Sequence, residues 1–250
     1  IKNLIIHWIQ EYSNNKKVLV VGVSGGIDSA LTSKLCAMTG IQTYLVSMPI
    51  HQKEEEVYNA QQHMEWLEKD YVNITTQTID LTDLFENYKK TIPIKYHSPL
   101  GLANARARLR MTTLYQIATK KNGLVVGTGN KVEDFGIGFF TKYGDGGVDI
   151  SPIGDLTKSE VRKLAKICKI RKDILAAAPT DGLWDDGRTD ESQIGATYEE
   201  LEWAMNVHKR PSEFTEQEKR VIDIYQKLHD KNKHKMQPIP ICNIPKDLRH

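Results

Sequence analysis

The stretch VLVVGVSGGIDSALTSKLC (residues 18–36) constrains the fold more than any other part of this chain. Residues 18–23 form an almost continuous apolar run, which is typical of a strand covered on both faces in a parallel sheet. A helical pattern follows from Ile27 to Thr39, and Gly40 offers a favourable C-cap residue. The stretch therefore predicts a buried strand, a short glycine-rich loop and a helix.

The same alternation continues through the first half of the chain. Further strands are predicted at 42–48, 72–79 and 124–129, and helices at about 52–69 and 99–121. This βαβα order favours an α/β fold in which a doubly wound parallel sheet is flanked by helices.

The last hundred residues have a helical character. A threonine followed three residues later by glutamate is the capping-box pattern, and it predicts helix starts at Thr157, Thr197 and Thr215. The segment from Lys231 contains three prolines, so we expect it to be extended and on the surface. The sequence thus predicts a helical C-terminal part after the α/β core.

A chain of 250 residues can bury a sizeable core, and no stretch has the composition of a linker. We expect a single domain over residues 1–250, with an α/β core at about 15–180 and the helical part at about 190–250. A formal net charge of +2 gives no broad electrostatic argument for nucleic acid or a membrane, and neither is expected as a partner. No apolar run approaches the ~20 residues that a membrane-spanning helix needs.

The three cysteines carry no motif. Cys36, Cys168 and Cys242 lie far apart and form no CxxC pair, so a zinc or redox site has no support. Unpatterned thiols suit a reducing compartment, and we expect a cytoplasmic protein.

The loop between the first strand and its helix has the features of an anion site. Amide groups at a helix N-terminus lack intrahelical partners, and Gly25 and Gly26 let the backbone approach a ligand closely. Ser24 and Ser29 can donate hydroxyl hydrogen bonds to phosphate oxygens. Asp28 would repel phosphate, and a bridging Mg²⁺ would explain its presence. The residues alone also allow an ordinary glycine-rich turn in which the helix dipole favours Asp28.

Several motifs then resemble one family. SGGIDS matches the SGGxDS signature of the PP-loop ATP pyrophosphatases, the adenine nucleotide alpha hydrolase-like superfamily, whose members cleave ATP between the α and β phosphates. The glycine loop is neither a Walker P-loop nor a GxGxxG turn. Further along, GTGNKVE (127–133), FFTKYGDGG (139–147), LTK (156–158) and APTDG (178–182) follow in the order seen in ammonia-dependent NAD synthetases. The chain resembles that family over nearly its full length.

The resemblance implies a reaction and its participants. The nicotinate carboxylate of deamido-NAD attacks the α-phosphate of ATP, which releases pyrophosphate, and ammonia then displaces AMP to form NAD. Mg²⁺ is the implied cofactor, ATP the co-substrate and a homodimer the implied assembly. We expect free ammonia as the nitrogen source because the chain leaves no room for an added amidohydrolase domain. Two alternatives are another PP-loop amidating or thiolating enzyme, and a nucleotide sensor that binds ATP without turning it over.

Lys158 is informative without any family. It follows the Thr157 cap directly, where the helix dipole disfavours a cation, and a nearby anion would offset this. Its position alone allows two interpretations of Lys158, a solvated surface lysine or a ligand of phosphate. The resemblance assigns Lys158 and Thr180 to the ATP phosphates, and Asp28 and Glu133 to Mg²⁺. The implied ATP-binding residues are Ser24, Gly25, Gly26, Asp28, Ser29, Thr128, Lys158 and Thr180.

The resemblance also implies residues for the second substrate. Asp145 is the candidate to accept a proton from ammonium, and with Lys158 and Thr180 it completes the implied catalytic set. Two of the three arginines at positions 106, 108 and 110 are expected on a solvated helix face. Ser47 stands where many relatives have an arginine that contacts ATP, so a lysine elsewhere or Gln52 is expected to replace that contact. The implied deamido-NAD residues are Arg108, Lys142, Asp149, His234 and Lys235.

Overall fold

The computed structural model describes residues 1–14, 18–177, 179, 189–207 and 214–249. Its centre is a sheet of four parallel strands in the order β3-β2-β1-β4, as expected of a doubly wound fold. The strands are β1 (Val18–Gly22), β2 (Gln42–Ser47), β3 (Ile74–Thr78) and β4 (Gly123–Val126).

Helices connect the strands and continue beyond the last of them. A π-helical turn at Val132–Ile137 follows β4, and short 3₁₀ turns lie at Ile94–Tyr96 and Lys246–Leu248. None of the described helices is long and apolar enough to cross a membrane. The α-helices are α1 (Lys2–Tyr12), α2 (Ile27–Met38), α3 (Glu54–Asp70), α4 (Thr82–Thr91), α5 (Pro99–Lys121), α6 (Lys158–Ile167), α7 (Lys172–Ala176), α8 (Asp190–Ile194), α9 (Tyr198–Met205) and α10 (Glu216–Met236).

Both faces of the sheet are covered. Leu19 and Val21 of β1 pack into a core with α1, α2, α3 and α6, while Val18 and Val20 face a second core with α4 and α5. Because successive strand residues point to opposite faces, this two-sided burial requires the unbroken apolar run of β1. The prediction of a buried parallel strand is confirmed.

A third core joins the C-terminal helices to the sheet region. Val132 and Ile137 of the π-helical turn pack against Tyr198 and Leu201 of α9. Residues from α10 close this cluster, with Leu228 among them. The helical C-terminal part is therefore packed directly on the segment that follows β4.

Most predicted boundaries lie within two residues of the observed ones. The capping boxes at Thr157, Thr197 and Thr215 are present, each with reciprocal hydrogen bonds to the glutamate three residues later. The expectation of an extended surface segment from Lys231 is wrong for residues 231–236, because α10 continues to Met236. Tertiary contacts stabilise these last turns: the side chain of Asn232 donates to the last carbonyl of the π-helical turn, and that of Lys235 donates to two carbonyls just after it. Residues 237–245, which contain the three prolines, are exposed and lie outside helices and strands as expected.

Candidate active site

Three charged side chains meet beyond the carboxyl ends of β1 and β4. Asp28 lies in the first turn of α2, Glu133 lies in the π-helical turn, and Lys158 is the first residue of α6. Since β1 and β4 are neighbours in the sheet, the loops that follow them lie side by side. Parallel α/β sheets bind ligands beyond the carboxyl ends of their strands.

Lys158 forms ion pairs with both carboxylates. Its Nζ lies 2.6 Å from Asp28 Oδ2 and 2.9 Å from Glu133 Oε1, and its side chain is only 2% exposed. Asn130 Nδ2 donates to Asp28 Oδ1 at 3.2 Å, and the Tyr198 hydroxyl donates to Glu133 Oε1 at 2.5 Å. The lysine at the start of α6 is therefore compensated by two anions, as its position in the first helical turn requires.

Burial and pairing act in opposite directions on these groups. Burial raises the pKa of Asp28 above its ordinary value, although Lys158 opposes this shift. Burial also acts on Glu133, but Lys158 and the Tyr198 hydroxyl outweigh it and lower the pKa of this carboxyl. The two carboxylates in turn outweigh burial at Lys158 and raise the pKa of its ammonium group. The lysine is therefore charged at neutral pH.

The glycine-rich loop lies directly before this cluster. Ser29 Oγ donates to Gly26 O at 2.9 Å and lies 3.1 Å from Ser24 Oγ, so the two serine hydroxyls are held together. Gly25 has φ +90°, and a Cβ at this position would lie 2.5 Å from Glu56 O of α3. Glycine is thus required at position 25 by the backbone conformation and by the close approach of α3. Gly26 is the N-cap residue of α2, whose first amide groups have no intrahelical partners.

The donor set near Lys158 fits Mg²⁺. Two carboxylates converge on one positively charged nitrogen, so a cation already stands at the point where both are directed. The described part of the chain has no group of three or more His, Cys, Asp or Glu residues that could hold a metal. Two protein carboxylates leave the remaining ligand positions to phosphate oxygens and water, which is how Mg²⁺ is commonly bound in nucleotide sites.

Thr128 and Thr180 are two further residues that are predicted to bind ATP. Thr128 follows β4 by two residues, beside the backbone hydrogen bond from Gly127 N to Ile150 O, and is therefore at the same edge of the sheet as Asp28. Thr180 lies outside the described residues.

The loop at 139–147 is packed against α5. Thr141 Oγ1 donates to Asn104 Oδ1 at 2.7 Å, and Arg108 Nε donates to Lys142 O at 3.3 Å. Thr141 N donates to Asp145 Oδ1 at 3.0 Å, which folds the loop on itself. Arg108, Lys142 and Asp145 are thus brought to one region between α5 and this loop.

The end of α10 reaches the same loop. Lys142 Nζ donates to His234 O at 2.8 Å, while Lys235 Nζ donates to Gly138 O at 2.6 Å and Phe140 O at 2.7 Å. His234 and Lys235 therefore lie beside Lys142, at the end of helix α10.

Asp149 has a different environment from the other predicted substrate residues. Its Oδ2 accepts from Val125 N at 2.8 Å, and its Oδ1 accepts from the Tyr115 hydroxyl at 3.1 Å. Both carboxylate oxygens are thus engaged at the outer edge of β4. Within the described ranges no hydrogen bond joins Asp149 to Arg108 or Lys142.

The role of Tyr198 and the partial burial of two arginines were not predicted from the sequence. Tyr198 is fully buried and contacts both Glu133 and Asp190, but nothing in its local pattern indicates a partner 65 residues away. The expectation of two solvated arginines is wrong: Arg108 is exposed, whereas Arg106 and Arg110 are partly buried. The alternating alanines at the start of this stretch could have indicated the burial of the arginines. α5 buries Ala103, Ala105 and Ala107, which leaves little of the helix surface fully solvated.

Comparison with known proteins gives a consistent result. The sequence profile of the family described as NAD synthase matches residues 1–239. The NH₃-dependent NAD⁺ synthetase of Carboxydothermus hydrogenoformans is 36% identical over 236 residues, which cover 92% of each chain. The structure of an NMN synthetase from Francisella tularensis superposes with a TM-score of 0.87 at 31% identity, and covers 97% of each chain. That of an NH₃-dependent NAD synthetase from Campylobacter jejuni gives a TM-score of 0.77 at 26% identity, again over 97% of each chain.

Proposed function

The chain belongs to the NAD synthase family, and we propose that it amidates deamido-NAD to NAD with ammonia and ATP, releasing AMP and pyrophosphate. The observation that carries this proposal is the Asp28–Lys158–Glu133 cluster beside the SGGIDS loop. A nucleotide sensor would need phosphate-binding groups alone, whereas this cluster places a buried cation and two potential metal ligands at one point. That arrangement suits phosphoryl chemistry at the α-phosphate.

The ATP phosphates would bind between the loop and α6. Ser24, Gly25, Gly26 and Ser29 would hold the pyrophosphate portion through hydroxyl and amide donors at the start of α2. Lys158 would exchange one carboxylate partner for phosphate oxygens and stabilise the charge that develops at phosphorus. The remaining contacts follow from the family: Thr128 to the ribose, and Thr180 beside the α-phosphate.

Asp28 and Glu133 are the residues that would hold Mg²⁺. When bound there, the ion would neutralise phosphate charge and favour the departure of pyrophosphate. The chain's own contribution is to pair both carboxylates with Lys158, which favours their charged forms against burial, and to add the Tyr198 hydroxyl at Glu133.

The nicotinate nucleotide would bind between α5, the 139–147 loop and the end of α10. The candidate ligands converge there, with Arg108, Lys142, His234 and Lys235 linked through the loop backbone. Asp145 would accept the proton that ammonium loses, so that neutral ammonia attacks the adenylated carboxyl carbon and AMP leaves. Asp149 would contact the same nucleotide from the outer edge of β4. Its side chain would first rotate and release its hydrogen bond with the Tyr115 hydroxyl.

Similarity to an NMN synthetase favours a second candidate substrate. That structure superposes well over nearly the whole chain, so amidation of nicotinate mononucleotide, the same chemistry on a smaller nucleotide, is the alternative. The test is to supply ATP, Mg²⁺ and ammonium with either nucleotide and to separate NAD and NMN by chromatography. We expect kcat/KM to be higher for deamido-NAD. A higher value for the mononucleotide selects the alternative, and the absence of both products rejects the amidation of nicotinate nucleotides.

The family also suggests how the protein is organised. We infer a homodimer, and light scattering of the purified protein tests this. The support is a group of exposed apolar side chains from α4 to the start of α5, namely Leu84, Tyr88, Ile94, Tyr96 and Leu100.

We also infer a single domain over the whole chain. The support is the packing of Val132 and Ile137, which follow β4, against Tyr198 of the C-terminal part. The free thiols of Cys36, Cys168 and Cys242 support a cytoplasmic location.

A further inference from the structure

A partly buried guanidinium group lies at the carboxyl end of β2. Arg110 of α5 donates from Nε to Met48 O at 2.9 Å and from Nη2 to Gln52 Oε1 at 2.7 Å. Both acceptors belong to the segment that connects β2 to α3. The Arg110 side chain therefore ties this connection to α5 at two points.

The connection leads to the glycine-rich loop. Gln52 Nε2 donates to Glu56 Oε2 at 3.1 Å, which links the segment to the first turn of α3. The backbone of that turn lies against the loop, since a Cβ on Gly25 would be 2.5 Å from Glu56 O and 3.2 Å from Ala60 N. The position of α3 thus limits where Gly25 can lie.

We propose that Arg110 is a positioning residue, which holds the start of α3, and through it the glycine-rich loop, in the geometry that binds the phosphates of ATP. This inference rests on the proposed function of that loop. The order of contacts is Arg110 to Gln52, Gln52 to Glu56, and the Glu56 backbone to Gly25.

The chemistry of the side chain supports this role. A guanidinium group presents several donors in a rigid plane, so one group can bind a carbonyl and an amide oxygen at once. Lysine has a single donor atom and cannot reproduce both contacts with the same geometry. The charge of Arg110 is retained at neutral pH, although burial and the nearby Arg106 lower its pKa to about 10.

Three variants test the proposal against the wild-type enzyme, whose activity is established first. Arg110→Lys keeps the charge but cannot make both hydrogen bonds of the guanidinium group. Gln52→Met removes the side chain that links Arg110 to Glu56, and the double variant combines the two changes. Arg220→Lys is the matched control, because Arg220 is exposed on α10. We expect Arg110→Lys and Gln52→Met each to raise the KM for ATP roughly tenfold, as the loss of one charge-assisted hydrogen bond implies, with the KM for the nicotinate nucleotide within about twofold.

Two readouts separate this role from a general loss of structure. The KM for ATP of the double variant should be no higher than that of the more affected single variant, because both changes interrupt the same series of contacts from Arg110 to Gly25. Hydrogen–deuterium exchange should rise in the peptide containing residues 22–30 and stay unchanged in the peptide containing β4. Additive effects, equal changes in both KM values, or unchanged exchange at 22–30 would overturn the proposal. A wild-type enzyme without amidation activity would instead reject the proposed function, and the exchange measurement would still test this series of contacts. If Arg110→Lys does not fold, Gln52→Met carries the test through the exchange measurement, because Gln52 is itself a candidate for direct contact with ATP.

Discussion

Lys158 lies at a position where the helix dipole and burial both disfavour a charged lysine. A cation in the first turn of a helix faces the positive end of the helix dipole, and burial adds a desolvation cost. Both penalties are offset because Asp28 and Glu133 lie within 3 Å of the ammonium nitrogen. One positive and two negative charges leave the cluster with a net negative charge, which a bound divalent cation can compensate.

Lys158→Ala should reduce turnover at least about 100-fold, since it removes the cation that we propose to stabilise charge on phosphorus. Asp28→Asn should abolish turnover as well, and it keeps an acceptor for Lys158. The measurement is steady-state release of pyrophosphate, with circular dichroism to show that each variant is folded. Lys163→Ala is the control because Lys163 is exposed on the same helix α6. Wild-type rates in either variant would contradict the assigned roles.

His63 makes stability depend on pH. The ring is fully buried, its Nε2 lies 2.8 Å from Ser33 Oγ, and burial lowers its pKa from 6.5 to about 4. The unfolded chain therefore binds a proton more readily than the folded one, so stability is complete above pH 6.5 and falls as the pH drops toward 4. We expect a loss of about 2 kcal/mol between pH 7.5 and pH 5 from this group.

Urea unfolding at the two pH values measures this loss. His63→Gln keeps a donor toward Ser33 but cannot be protonated, so its free energy of unfolding should fall about 2 kcal/mol less than that of the wild type. An identical pH dependence in both proteins would show that His63 is not responsible.

At the scale of elements, the two loop glycines have different structural roles. Gly25 has a left-handed φ of +90° and no space for a Cβ beside α3, whereas the nearest atom to a Cβ on Gly26 is Ser24 Oγ at 3.5 Å. The sequence predicted close backbone approach to a ligand for both. The structure adds that Gly25 is required for packing in the absence of any ligand.

Gly25→Ala should lower the free energy of unfolding by more than 1 kcal/mol, because alanine is strained at this φ and its Cβ overlaps the Glu56 carbonyl. Gly26→Ala should change it by much less, since its φ of −82° suits any residue. Chemical denaturation of the two variants makes the comparison. Equal destabilisation would contradict the packing role of Gly25.

Elements specified by local pattern could be predicted from the sequence. β1 and α5 follow from apolar runs and from Pro99 at a helix start, and the capping boxes mark α6, α9 and α10. The end of α10 could not be predicted, because side-chain contacts with a distant loop stabilise it. In the same way the motifs brought Asp28, Glu133 and Lys158 into one site, while Arg110 and Tyr198 depend on tertiary contacts that local spacing does not reveal.

At the scale of the whole molecule, the site is built from both parts of the chain. The α/β core supplies Asp28 and the glycine-rich loop, and the π-helical turn supplies Glu133. The C-terminal helices complete it, with Tyr198 bound to Glu133 and Lys235 bound to the loop after the turn. Neither part alone contains the full set of residues of the proposed site.

Transfer of oxygen from the nicotinate carboxylate to AMP tests the central claim most directly. Deamido-NAD labelled with ¹⁸O in both carboxylate oxygens is incubated with ATP, Mg²⁺ and ammonium, and the products are analysed by ³¹P NMR and mass spectrometry. Attack of the carboxylate on the α-phosphate requires one label in AMP, one in the amide of NAD and none in pyrophosphate. Unlabelled AMP, or label in pyrophosphate or inorganic phosphate, would contradict an adenylated intermediate at this site.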